Sequence, residues 1–346
     1  MTTGHLRDEQ QLASGIEAWL AHGRPDRAGT RVERLRRPST GWSNETLLVD
    51  TVGPRGAERL VVRLPPLLPS YPEHGLHAQA DVHRAVLAAG LPAPDVLAVE
   101  DDPAWLGAPF LVLAHITGRV AGEAPGLDPW IADATPAEQR RVQDGFVVAL
   151  ADLHRVDVSG SHLTTRLRVG VTDEITYWID YVTWATDGSP PRAMVDALAW
   201  CRATARPGLH EWSLLWGDAR LGNVMYDDAR DVVAILDWEL ATIGPAEMDL
   251  AWYVALDELT TKATGAAVPG FRDREDLVTF YEQRLGRPVE RLAWHQIFAL
   301  TRSIAISDRQ ARLAAATGVP YPGAFGEDNP MLRYLGRRIE RYTEVS

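Results

Sequence analysis

The chain has few of the features that mark whole classes of protein. It has one cysteine, Cys201, in 346 residues, which excludes an intrachain disulfide and a cysteine-rich metal site. Cys201 reads as a small buried hydrophobe in a helix rather than a reactive thiol. No apolar run approaches the roughly 20 residues of a membrane span. The N-terminus, Met1-Thr2-Thr3-Gly4-His5-Leu6-Arg7-Asp8-Glu9, is polar and lacks the apolar stretch of a secretory signal, so a cytoplasmic location is the simplest expectation. Basic charge is short: Asp and Glu outnumber Lys and Arg by 47 to 35, a formal charge of −12. Nucleic acid and anionic membranes select a basic surface, so neither is expected as a partner. There is no evident repeat or low-complexity tract. A composition of 46% hydrophobic and 24% charged residues is that of a soluble globular protein, and the length allows two lobes with sizeable cores.

What is present is a pattern of oxygen ligands. Leu215-Trp216-Gly217-Asp218-Ala219-Arg220-Leu221-Gly222-Asn223 is followed by Ile235-Leu236-Asp237-Trp238. Phosphoryl transfer needs one carboxylate to hold the acceptor hydroxyl. It also needs an amide oxygen and a second carboxylate to hold Mg²⁺ on the nucleotide phosphates. Protein kinases use Asp-x-x-x-x-Asn and then the Asp of Asp-Phe-Gly. Here Asp218 is the candidate base, and Asn223 and Asp237 are the candidate metal ligands. Arg220, two residues after the base, can reach a transferring phosphate. Val224-Met225-Tyr226 and Val232 to Leu236 read as a hairpin with Asn223 at one end and Asp237 at the other. An octahedral Mg²⁺ suits that edge. The bland alternative is a surface turn followed by a capped helix.

These words resemble the aminoglycoside phosphotransferase-like (phosphotransferase enzyme) family, and within it the branch related to the kinase domains that accompany acyl-CoA dehydrogenases. Ser39-Thr40-Gly41-Trp42-Ser43-Asn44-Glu45-Thr46, Leu91-Pro92-Ala93-Pro94-Asp95-Val96, Leu106-Gly107-Ala108-Pro109-Phe110 and Ala149-Leu150-Ala151-Asp152-Leu153-His154 carry the same resemblance in order. It implies an α+β, bilobal, protein-kinase-like fold. Residues 1–113 would be the nucleotide lobe, 114–118 a hinge, and 119–346 a mostly helical catalytic and acceptor lobe. The donor would be ATP or GTP with Mg²⁺, and the acceptor a small-molecule hydroxyl.

In the first lobe, a helix is expected over 8–22, followed by strands at 30–37, 45–51 and 59–64. Gly53-Pro54-Arg55-Gly56 marks the turn between the last two. A helix over 77–89 and strands at 95–99 and 109–115 complete a five-stranded antiparallel sheet. The loop with Ser39, Thr40, Gly41 and Ser43 could turn backbone N–H groups toward phosphate. It is not a Gly-x-Gly-x-x-Gly loop, and an ordinary hairpin loop is the default. Arg63 stands on the third strand where kinases carry a lysine. Pattern alone puts it on the solvent face, and the resemblance puts it on phosphate. Gln79 falls where kinases place a glutamate, able to hydrogen-bond Arg63 but not to neutralise it. Asp81 is a nearby carboxylate, most simply a surface charge. The resemblance makes the backbone of Leu113 to His115 the adenine-binding edge.

In the second lobe, Thr135-Pro136-Ala137-Glu138 is a capping box that opens a helix ending near His154. His154 reads as structural. Tyr177, Tyr181 and Trp184 share a helix face, either core or acceptor wall. Asp249 resembles the family's carboxylate that braces the catalytic loop. Only eleven residues separate Asp237 from Asp249, too few for a protein-kinase activation segment, so a small acceptor is expected. Arg302, Arg309 and Arg312 fall on one helical face, read as solvated or facing an anionic acceptor. Trp216 stands where relatives usually have His. The expected activity is phosphate transfer to a hydroxyl, perceived as that of a hydroxyacyl thioester or hydroxy acid. The alternatives are an aminoglycoside or other antibiotic, and a catalytically silent nucleotide-binding module.

Overall fold

The first helix starts where a short carboxylate can cap it. Asp8 accepts the Gln11 backbone N–H at 2.8 Å, and α1 runs Glu9–Ala21. The structure is a computed structural model that describes residues 6–23, 25–38, 44–206, 212–319, 321 and 325–345. Leu12, Ile16, Trp19 and Leu20 form the buried stripe of α1 and cover one face of a sheet.

That sheet contains β1 (Arg31–Arg36), β2 (Glu45–Gly53), β3 (Gly56–Leu64), β4 (Val96–Glu100) and β5 (Phe110–Ala114). All its pairings are antiparallel, in the spatial order β1-β2-β3-β5-β4. The five-stranded antiparallel sheet expected from the sequence is therefore present. Gly53 lies opposite Gly56 across a two-residue turn, and Gly56 takes φ +93°, as a tight hairpin requires. Between β3 and β4, α2 (Leu76–Ala88) bridges two cores. Leu76 and Ala80 pack on Leu111 and Leu113 under the sheet, whereas Val82 and Val86 join the large core of the second lobe.

The chain continues through β6 (Arg119–Val120), α3 (Pro129–Ala132), α4 (Pro136–His154), α5 (Gly170–Ala185), α6 (Arg192–Thr204) and β7 (Ser213–Leu215). Then come β8 (Val224–Tyr226), β9 (Val232–Ile235), β10 (Thr242–Gly244), α7 (Glu247–Thr264), α8 (Arg274–Leu285), α9 (Leu292–Thr317) and α10 (Pro330–Val345). The capping box at the start of α4 forms reciprocally: Thr135 N–H donates to Glu138 at 2.8 Å and Glu138 N–H to Thr135 Oγ1 at 3.3 Å. Cys201 is buried on α6. β8 and β9 pair antiparallel as the expected hairpin. The Ile235 N–H donates to Pro92 O at 2.8 Å, which ties this hairpin to the loop before β4.

One expectation for α9 is corrected. Arg302 does not lie on a solvated face. It is 1% exposed, because α9 runs through the middle of the lobe with Trp294, Phe298 and Ile304 buried around it. Of the three arginines, Arg312 pairs with Asp308 at 2.6 Å, and Arg309 stacks on Trp184 at 4.4 Å. No helix among the described residues is long and apolar enough to cross a membrane.

Candidate active site

Two short antiparallel ladders hold the site. β7 pairs with β10, with Leu215 opposite Thr242, and delivers the chain into the loop 216–223. The β8–β9 hairpin then returns it, with Leu236 N–H donating to Asn223 O at 2.9 Å. Asp218, Asn223 and Asp237 thus come to one edge through hydrogen bonds of the backbone.

Asp218 is the most engaged of these groups. Its Oδ2 accepts Arg220 Nε at 2.9 Å and Asn223 Nδ2 at 2.8 Å, and its Oδ1 accepts Trp252 Nε1 at 2.9 Å. Burial works to raise its pKa. The Arg220 charge and the hydrogen bonds from Arg220, Asn223 and Trp252 outweigh burial and hold the carboxyl below its usual range. Arg220 also binds Glu123, so its guanidinium lies between two carboxylates. Asp237 adopts φ +65°, a left-handed conformation uncommon outside glycine and concentrated at functional sites.

Buried acceptors brace the loop. Asp249 on α7 is fully buried and accepts Trp216 N–H at 2.6 Å and Gly217 N–H at 2.9 Å, one on each oxygen. His154 Nε2 lies 3.1 Å from the same carboxylate, and Tyr281 OH lies 2.6 Å from His154 Nδ1. Trp216 supplies a brace of its own: its indole N–H donates to Leu236 O at 2.7 Å, and its ring lies 5.7 Å from that of Trp238. Arg302 closes the other side by donating to Gly217 O at 2.8 Å. Gly217 takes φ +84°, and a Cβ there would stand 2.0 Å from Leu240 O. Gly217→Ala therefore combines a backbone penalty with a backbone clash. It is expected to lower stability by about 2 kcal/mol or more, read as a fall in Tm. A melting curve that matches the wild type would refute the tight fit.

The first-lobe residues arrange themselves differently from the expectation. Arg63 is 7% exposed and donates to Asp237 Oδ1 at 2.6 Å. Gln79, although 2% exposed, makes no hydrogen bond to a described residue through either side-chain atom, so the expected Gln79–Arg63 bond is not formed. The reason is charge. α2 offers Arg63 only neutral groups: Gln79, and His83, whose pKa burial and the Arg63 charge push down to about 3. Asp81 faces Arg84 at 3.1 Å and His162 at 3.3 Å. Asp237 is the anion Arg63 bonds, with Glu239 close enough to add to the attraction. The chain's single lysine, Lys262, lies on α7, so no lysine can take the place of Arg63. Leu113 is an interior strand residue, opposite Val61 on one side and Val96 on the other. Its backbone therefore belongs to the ladder, and Ala114 N–H goes to Asp95 O at 2.9 Å. Backbone beyond the ladder begins at the half-buried His115. Ser39, Thr40, Gly41 and Ser43 lie outside the described residues. Just after them, Asn44 donates to Glu239.

Sequence reasoning missed Trp252, Glu123 and Glu239. Trp252 was within reach, because it follows Asp249 by three residues on α7 and so shares its helix face. Glu123 and Glu239 carried no signal in pattern or spacing.

Comparison with known proteins agrees with this architecture. The chain is similar to the Acyl-CoA dehydrogenase family member 11 of Rattus norvegicus, 27% identical over 312 residues. That match covers 86% of this chain and 38% of the rat protein, so the chain spans well under half the length of that relative. Among solved structures, a protein of Ralstonia eutropha JMP134 named provisionally as an aminoglycoside phosphotransferase superposes with TM-score 0.65 at 22% identity, covering 96% of this chain and 95% of that one. An aminoglycoside phosphotransferase variant in a ternary complex with ADP and hygromycin B superposes with TM-score 0.55 at 13% identity, covering 96% and 97%. The fold is the bilobal, kinase-like one of these enzymes. With residues 34–286 matched by the model of that family, the chain belongs to the phosphotransferase enzyme family.

Proposed function

We propose that this chain transfers the γ-phosphate of ATP, or GTP, to a hydroxyl of a small metabolite. The observation that carries the reading is the convergence of Asp218, Asn223 and Asp237, with Asn223 Nδ2 2.8 Å from Asp218 Oδ2 and Asp237 paired to Arg63. Asp218 holds the acceptor hydroxyl and takes its proton. A carboxylate kept ionised is a weak base, which suits a loose transition state in which positioning matters more than early deprotonation. Arg220 offsets charge on the transferring phosphate.

Asn223 and Asp237 are the residues that would hold Mg²⁺. The Asn223 amide nitrogen is occupied by Asp218, which leaves its carbonyl oxygen, the atom a hard cation takes. Among the described residues no group of three or more His, Cys, Asp or Glu is placed to hold a metal, so phosphate oxygens would complete the shell. Bound there, the ion would neutralise charge on the nucleotide phosphates. Arg63 gives phosphate a two-pronged donor, and the backbone from His115 onward and the 39–43 loop receive the rest of the nucleotide. This divides the chain into a nucleotide lobe to residue 113, a hinge over 114–118 and an acceptor lobe beyond, acting in the cytoplasm. Arg63→Gln is expected to raise the KM for ATP about tenfold or more in an ATP titration. An unchanged KM would remove Arg63 from the phosphate site.

For the acceptor, the likeness to acyl-CoA dehydrogenase family members supports a hydroxyacyl thioester or hydroxy acid. The likeness to aminoglycoside phosphotransferases favours an antibiotic as the second reading. A silent nucleotide-binding module is the third, motivated by Arg63 and Gln79 in place of a charged pair. A transfer screen with ATP and GTP, Mg²⁺, and hydroxyacyl thioesters, hydroxy acids, macrolides and aminoglycosides separates them. Nucleotide binding without transfer to any acceptor would sink the enzymatic reading.

A further inference from the structure

One cation beside the site has no part in the phosphoryl chemistry above. Arg168 precedes α5, and its carbonyl accepts Thr242 Oγ1 at 2.8 Å and Ile243 N–H at 3.0 Å. It is thereby fixed to β10, the strand paired with β7 at the foot of the 216–223 loop. Its Nε donates to Glu174 Oε2 at 2.6 Å, while the other oxygen of Glu174 accepts Trp178 Nε1 at 2.9 Å. The guanidinium stacks on Tyr177 with Cζ 4.0 Å from the ring centroid. Among the described residues its buried Nη2 has no hydrogen-bond partner, yet the side chain is 27% exposed. An arginine offers donors in a planar fork, and here a single carboxylate, shared with an indole, uses one edge of it.

A run of packed, buried side chains joins this cation to Asp218. Arg302 lies over Trp178 at 5.0 Å and over Trp252 at 4.7 Å, and Trp252 donates to Asp218. Tyr181 lies 6.2 Å from Tyr177 and 5.7 Å from Tyr71. Burial, then the Glu239 and Asp218 carboxylates, raise the Tyr71 hydroxyl well above its usual pKa. Of the carboxylates near Arg168, Glu174 is already engaged, and Glu73, between β3 and α2, is exposed.

We propose that Arg168 is the specificity-determining residue of the acceptor site: it holds an oxyanion, a carboxylate or a phosphate, on the substrate whose hydroxyl meets Asp218. This rests on the phosphotransferase reading and narrows it to anionic acceptors. A polycationic aminoglycoside would instead meet a guanidinium whose own carboxylate partner is taken. The fork suits a planar carboxylate or a phosphate edge-on, and the Tyr177 face holds it in plane.

The test is calorimetric binding to the wild-type chain loaded with AMP-PNP and Mg²⁺. The probes are β-hydroxybutyrate, its neutral amide β-hydroxybutyramide, and glycerol phosphate. At least one anion is expected to bind more tightly than the amide, and comparing the two anions tells carboxylate from phosphate. Arg168→Gln should weaken that anion about tenfold or more, as for a charge-assisted hydrogen bond, with AMP-PNP affinity unchanged. Arg168→Lys keeps a cation beside buried Glu174, so it guards against misfolding, and should recover part of the affinity. A merely structural ion pair would not discriminate acid from amide. Equal binding of acid and amide, no binding of either anion to the wild type, or full anion affinity in Arg168→Gln overturns the proposal. Transfer to an aminoglycoside without anion binding defeats this inference and leaves the phosphotransferase reading standing. Anion binding through Arg168 without transfer to any acceptor defeats the phosphotransferase reading, and with it the acceptor role of Arg168, and leaves an anion site alone.

Discussion

Asp218→Asn should lower turnover by about three orders of magnitude, within the range that a positioned acid–base group contributes. The amide keeps the shape of the carboxylate but can no longer take the hydroxyl proton. It also disturbs its own surroundings. Every partner of Asp218 is a donor: Arg220 Nε, Asn223 Nδ2 and Trp252 Nε1. Whichever way the amide turns, its NH₂ faces an N–H that needs an acceptor. Some loss of stability is therefore expected as well, so AMP-PNP affinity must be measured beside kcat. The expected result is a collapse of kcat with nucleotide affinity within a few-fold of wild type. Turnover close to wild type would remove Asp218 from the base role, and with it the assigned mechanism.

Asp249→Ala is expected to do more damage to the fold than any other single truncation near the site. It strands the Trp216 and Gly217 N–H groups, which donate to separate oxygens of this carboxylate, and it strips His154 Nε2 of its partner. Water has no easy access, since Asp249 and the side chain of His154 are fully or almost fully buried. Leaving one buried polar group unpaired costs about 1–3 kcal/mol, and removing one member of a buried pair about 3–5 kcal/mol. A loss of about 4 kcal/mol is a large share of ordinary domain stability. Tm should fall steeply, and the loop that carries Asp218 should lose its geometry. Asp249→Asn keeps one acceptor oxygen and should fall between the two. A Tm near wild type for Asp249→Ala would mean that Trp216 and Arg302 hold the loop without it.

The regular elements were legible because their causes are local. The α4 capping box, the α1 stripe, the Gly53–Gly56 hairpin and the β8–β9 hairpin each depend on residues a few positions apart. The order of Asp218, Asn223 and Asp237 was legible for the same reason, since one loop and one hairpin carry all three. The brace by Asp249 was also anticipated, through the family pattern. The misreadings concern distant partners. Arg302 was misplaced because helical periodicity cannot report that α9 is surrounded; its partner Gly217 O is 85 residues away in sequence. Gln79 was assigned to Arg63 by register, but a neutral amide cannot compete with the carboxylate of Asp237, 174 residues further along.

By itself the sequence determined the family and the scaffold: a carboxylate, an amide and a second carboxylate in the order and spacing of a kinase-like site, on elements whose caps and turns are local. Tertiary structure alone decided which charges meet. It paired Arg63 with Asp237, surrounded Asp218 with donors from its own loop and from α7, buried Arg302 behind the loop, and left one edge of Arg168 unused by any described residue beside Tyr177. Such pairings follow from burial and charge balance in a crowded interior, where each ion takes the nearest available partner. Spacing along a chain does not record which partner that is.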